Sequence, residues 1–227
     1  MSAALLPDFI CNHGVRARFE QFILGQNHPC VMAQTVFRMD QVIYNFYDHL
    51  ADDRQNPRIL CDLTDYLNGY DFSGRDFYTF LAIFRREPKL TEEQFEQKLW
   101  AQLQGLHDID TAQWDATVSS DPTDSTFSMS LGGKAFYVVG LHPGASRAAR
   151  RSPYVAIAFN LHRQFEELRR MGAYNVVRDK IRKRDIKQNG SYNPMMEDHG
   201  TGTSEAKQYS GRRVDPDWQC PFHRKSA

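Results

Sequence analysis

The stretch that most restricts the fold is TFSMSLGGKAFYVVG, residues 126–140. Phe127, Met129 and Leu131 alternate with polar residues, so every second side chain shares one face, as in a half-buried strand. Gly132-Gly133 follows, a pair that takes the positive φ angles of a tight hairpin at little cost. KAFYVVG then returns as the partner strand. After a short loop, YVAIAF is apolar throughout, the pattern of a strand covered on both faces. A hairpin that runs on into a central strand specifies a largely antiparallel sheet.

The rest of the chain supplies helices for that sheet. VRARFEQFIL, residues 15–24, spaces Phe19, Phe22 and Ile23 as the inner face of a short helix. PCVMAQTVFRMDQVIYNFY is expected to form two short β-like runs that turn at Met39–Gln41. Residues 52–58 are expected to be a polar loop, and DFYTFLAIF, 76–84, a strand. Thr91, with Gln94 three residues on, has the form of a capping box. Phe95, Leu99, Leu103 and Leu106 then recur at helical spacing. Residues 107–124 are loop-like and anchored by Trp114. Leu161, Phe165 and Leu168 mark one later helix, and Tyr174, Val177 and Ile181 another.

From residue 189 the chain becomes rich in Gly, Ser, Asp and Pro but keeps Tyr192, Met195, Met196, Tyr209, Trp218 and Phe222. Such a segment is too apolar to stay free in water, so 189–227 is expected to be an irregular C-terminal arm docked on the domain. The expected class is α+β, with residues 1–227 a single domain: a mainly antiparallel sheet flanked by helices. No βαβ alternation and no GxGxxG is visible, which disfavours a dinucleotide fold.

Composition narrows the partners. Among 227 residues, Lys+Arg and Asp+Glu both number 28, so global charge calls for neither nucleic acid nor a membrane surface. The N-terminus lacks the pattern of a signal peptide, and no run reaches the ~20 apolar residues of a bilayer span. A cytoplasmic location is expected. The four cysteines, Cys11, Cys30, Cys61 and Cys220, are then reduced thiols. Oligomeric state is open, a homodimer included.

The chemistry-bearing residues cluster in GLHPGASRAARRSPYVAIAFNLH, residues 140–162. His142 precedes Pro143, which holds it in extended geometry at a strand end. Arg147, Arg150 and Arg151 follow; they repel one another and gain by meeting an anion, either an external one or the protein's own carboxylates. His162 either turns back toward the sheet or lies exposed on a helix. Cys30 beside His28 is either a reactive or ligating thiol or a small core residue. Cys220-x-x-His223 has metal-like spacing but only two ligands, whereas a structural zinc site takes four. His199 lies in the arm, and Ser146 has no recognisable catalytic context.

NHPCVMAQTVF, GLHPGASRAARRSPYVAIAFNLHRQFEELR, NPMMEDHG, SEAKQYSGR and WQCPF, in that order, resemble the YqcI/YcgG family over residues 27–223. The resemblance implies a heme-binding oxygenase that hydroxylates a guanidino or amino nitrogen of an arginine-like small molecule. It implies heme b, O2 and an electron donor. His142 would be the iron's axial ligand, with Cys30, His162 and His28 as rivals; a thiolate ligand would favour O–O cleavage. Arg147, Arg150 and Arg151 would face the propionates. Glu197, Asp198 and Glu205 are candidate carboxylates for a cationic substrate. The alternative is a heme sensor or carrier without turnover.

Overall fold

The computed structural model describes residues 5–25, 28–195, 198 and 200–225, with backbone alone for 5–11. Five strands form one sheet in the order β1-β2-β5-β4-β3. They are β1 (Val42–Tyr47), β2 (Thr79–Phe84), β3 (Met129–Leu131), β4 (Lys134–Leu141) and β5 (Val155–Leu161). β2, β5, β4 and β3 pair antiparallel, while β1 pairs parallel with β2. Gly132 and Gly133 turn the β3–β4 hairpin at φ of 58° and 73°. β5 is buried along almost its whole length, as its unbroken apolar run requires.

Helices cover both faces. They are α1 (Leu5–Leu24), α2 (Val31–Arg38), α3 (Asn56–Gly69), α4 (Glu92–Ile109), α5 (His162–Arg170), α6 (Tyr174–Asn189) and α7 (Ala206–Tyr209). α4 begins at the expected capping box: the Thr91 hydroxyl accepts the Gln94 N–H, and the Gln94 side chain accepts the Thr91 N–H. Phe95, Leu99, Leu103 and Leu106 are fully buried. α3 and α4 pack on the larger core with Phe80, Phe84, Phe136, Val138, Ile157 and Phe159. The opposite face carries a smaller core of Val15, Phe19, Val36, Leu81, Leu141 and Ala158.

Three expectations are corrected. The run after Pro29 is not two strands: residues 31–38 form α2, and strand begins at Val42. Residues 52–58 are not a loop, because α3 starts at Asn56; Pro57 sits in its first turn, where a missing N–H costs nothing. Ile59, Leu63, Tyr66 and Leu67 give α3 its buried side. α3 joins parallel β1 and β2, so one βαβ unit is present. The helix over 15–24 extends back to Leu5, with Phe19 and Ile23 buried as expected. Beyond α6 the described chain is irregular except for α7, and Tyr209, Val214 and Phe222 are buried. Among the described residues no helix is long and apolar enough to cross a membrane.

Candidate functional site

Strand alternation decides which side chains can meet. On β4, Phe136 and Val138 point into the larger core. Tyr137, Val139 and Leu141 point the other way, into a cavity of about 270 Å³ between the sheet and α1, α2, α5 and α6. Thr79 and Leu81 of β2 and Ala158 and Asn160 of β5 line the same space. Most of the wall is apolar, with Phe19, Ile23, Phe77, Phe165 and Leu168 among its side chains. A few charged groups, among them the buried Arg150 and Glu205, are set into it, as polar groups are in most ligand sites.

Cys30, His28 and His162 all line this cavity. Cys30 is the N-cap of α2, and its sulfur accepts the Ala33 N–H at 3.4 Å. Burial pushes the thiol pKa up; N–H donors and the positive charges of Arg150 and Arg184 pull it back. His28 is fully engaged. Its Nδ1 lies 3.2 Å from the Cys30 N–H and its Nε2 3.1 Å from the Ala149 carbonyl. Nδ1 therefore accepts and Nε2–H donates, which fixes a neutral tautomer. Burial lowers its pKa in agreement. His28 thus orients the Cys30 backbone and has no ring nitrogen left for a metal.

His142 does not line the cavity. It continues the even-numbered side of β4, which faces α4. Its imidazole stacks on Phe95 and is 1% exposed. Nδ1 is buried without a hydrogen-bond partner. His162 continues the cavity side of β5 and is buried there rather than exposed on its helix. Because Phe136 pairs with Leu161 and Leu141 with Ala156, the two histidines lie at opposite ends of the sheet as well as on opposite faces.

The three arginines separate. Arg147 lines the cavity and pairs with Asp185 at 2.9 Å. Arg150 is buried and donates to the Gly140, Tyr209 and Gln208 carbonyls at 2.9, 3.1 and 3.0 Å. It lines the cavity wall with three of its five N–H donors already committed. Arg151 lies outside the lining and bonds the Ala145 and Ser146 carbonyls at 2.8 Å each. The expected cluster of three anion-facing guanidiniums is therefore not assembled.

Sequence reasoning missed a fourth guanidinium. Arg182 of α6 lines the cavity, and among the described residues it makes no ion pair. Its Nε is buried without a partner, and its guanidinium lies 5.9 Å from the Tyr192 ring centre. The helical spacing of Arg178, Ile181, Arg182 and Asp185 was a signal for an inward face, hidden by the charged residues Asp179, Lys180, Lys183 and Arg184 between them.

Of the candidate carboxylates, Asp198 is held by Arg178 at 2.7 Å and Tyr174 at 3.0 Å. Glu205 is buried at the cavity wall and accepts from Ser128 and Tyr209. Glu197 and His199 lie outside the described residues. Cys220 packs against the larger core, and burial raises its thiol pKa to about 12. His223 bonds Gln104 through its backbone. Neither residue lines the cavity. Ser146 donates its N–H and hydroxyl to Glu92 and does not line the cavity.

The cavity thus presents a thiol at a helix N-terminus, an apolar wall, a guanidinium with no ion-pair partner among the described residues, and a buried carboxylate. A family model, the YqcI/YcgG family, matches residues 19–223. Comparisons with curated proteins and with solved structures found no match.

Proposed function

This chain belongs to the YqcI/YcgG family, and from that premise we propose that it is a heme-dependent oxygenase that hydroxylates a nitrogen of an arginine-like small molecule. The observation that carries this reading is the placement of Cys30 in the cavity wall. Its sulfur accepts a backbone N–H and lies near Arg150 and Arg184. These contacts oppose the burial that raises its pKa, and coordination to iron would stabilise the thiolate outright.

The donor set fits a heme. Cys30 would hold the iron in place of the His142 expected from sequence. Arg182, with Arg147 beside it, would meet the propionates. Phe19, Val139, Leu141, Phe165 and Leu168 would lie against the ring. The cavity of about 270 Å³ lies just below the ~300–1,000 Å³ usual for ligand sites, so admitting a macrocycle calls for its walls to move apart. When bound, the heme would supply oxygen activation, and the protein would supply binding, orientation and exclusion of water.

The remaining groups divide the work. Glu205 offers a negative charge at the wall for a cationic nitrogen. The aromatic and aliphatic wall keeps water from the reacting centre. Two electrons must come from a separate donor. A soluble location fits the lack of a spanning helix among the described residues, and we place the protein in the cytoplasm. The test is conversion: protein loaded with heme, given O2, an electron source and a guanidino or amino compound, is expected to yield product heavier by one oxygen. Heme uptake with no product from any such compound would favour a heme sensor or carrier.

A further inference from the structure

We propose that Tyr209, Trp100 and Trp218 form a path by which single oxidising equivalents leave the cavity for the protein surface. Tyr137 of β4 lines the cavity. Its ring meets that of Tyr209 edge-on, with centroids 6.1 Å apart. Tyr209 stacks on Trp100 at 5.5 Å, and Trp100 meets Trp218 at 6.3 Å. Each spacing is that of aromatic rings in contact, roughly 4.5–7 Å. Tyr209 and Trp100 are buried, at 0% and 2% exposure, whereas Trp218 is only half-buried. The series therefore begins at the cavity wall and ends where water reaches.

The sheet edge brings these rings together. β3 pairs with β4 only over residues 134–136, and past that point α7 packs beside the strand. Gly140 permits the approach, because a Cβ there would lie 2.8 Å from the Tyr209 carbonyl. Packing alone would be served by phenylalanine, which fills the core beside Tyr209 at Phe127 and Phe136. Phenylalanine resists one-electron oxidation; phenol and indole rings do not. Trp100 Nε1 is buried with no hydrogen-bond partner among the described residues, and a buried unpaired donor calls for a reason beyond packing. With no acceptor at hand, an oxidised Trp100 keeps its proton, so the charge is not trapped there. Tyr209 donates its hydroxyl to Glu205 Oε1 at 2.6 Å. Its proton shifts along that bond as its electron leaves.

The inference rests on the oxygenase reading for the source of the oxidant. Peroxide left in the cavity when no substrate is bound becomes two waters by taking two electrons and two protons. Each electron comes from Tyr209, whose proton waits on Glu205. Trp100 refills Tyr209, and that proton returns to the phenol. Trp218 refills Trp100 and releases its indole proton to water. A thiol in solution then restores one electron and one proton to Trp218. Two such passages consume one peroxide and two thiols, and yield two waters and one disulfide. Oxidation is thereby drawn away from the wall that would hold the heme.

The first test needs no cofactor. Azidyl radicals made by pulse radiolysis each take one electron from an accessible indole and leave azide. In the purified protein the tryptophanyl absorption is expected to decay into a tyrosyl absorption at a rate independent of protein concentration, because Tyr209 can pass its proton to Glu205. Trp100→Phe and Trp218→Phe are each expected to abolish this phase, and Trp114→Phe to keep it. No tyrosyl growth in wild type, or growth that survives in folded Trp100→Phe or in Trp218→Phe, overturns the proposal. In heme-loaded protein given peroxide and glutathione without substrate, the Soret band is expected to bleach severalfold faster in Trp218→Phe than in wild type. Equal bleaching would overturn the protective role. A protein that takes up no heme would end the oxygenase reading, and the radiolysis would then decide the path alone.

Discussion

The Phe95 ring lies on the imidazole of His142, centroids 4.3 Å apart and planes 16° from parallel. This contact makes His142 part of the core and sets its acid response. Burial lowers its pKa from 6.5 to about 4, against a smaller opposing effect of Glu92. The folded state thus disfavours the charged ring. Above pH 6.5 the group is neutral whether folded or unfolded, and folding is not opposed. As pH falls from 6.5 toward 4, the unfolded chain takes up the proton first and stability drops. At 1.36 kcal/mol per pKa unit the loss approaches about 3 kcal/mol. Denaturant titrations at neutral and mildly acidic pH are expected to show this drop in wild type and a flatter profile in His142→Phe. Heme content of the variant should stay unchanged.

Arg150 ties the loop after β4 to α7. Three of its five N–H donors are given to these carbonyls. Arg150→Ala would strand buried carbonyls of Gly140, Gln208 and Tyr209, each costing about 1–3 kcal/mol. A loss of roughly 3–5 kcal/mol in denaturant unfolding is expected, with heme-to-protein ratio unchanged in the fraction that folds. Loss of heme at full stability would instead restore the propionate role expected from sequence.

Arg182 should behave in the opposite way. With no ion pair among the described residues to break, Arg182→Ala is expected to change stability by less than about 1 kcal/mol. Its heme should dissociate about tenfold faster, as read by transfer to apomyoglobin. Retention equal to wild type would remove Arg182 from the site.

The sequence was informative wherever a pattern was local. The hairpin at Gly132-Gly133 and the capping box at Thr91 each need only a few neighbouring residues, and both are present. α2 was misread because VMAQTVF is short and rich in β-formers, and because a cysteine caps it. α3 was hidden by its polar, proline-containing start, although Ile59, Leu63, Tyr66 and Leu67 kept helical spacing. His142 was assigned to the site from its place at a strand end. Counting by twos from Tyr137 would have put it on the other face. The contacts of Ser128 with His162 and Glu205 span 34 and 77 residues. No local pattern encodes them, and they exist only once the sheet and α7 meet.

The central claim is that the cavity beside Cys30 holds a heme. The most direct measurement is the absorption spectrum of protein expressed with added iron and 5-aminolevulinate, for wild type, Cys30→Ala and His142→Ala. A Soret band in wild type and in folded His142→Ala, lost or displaced in Cys30→Ala, is the predicted result. A colourless wild-type protein, or a band that depends on His142 and ignores Cys30, would contradict it.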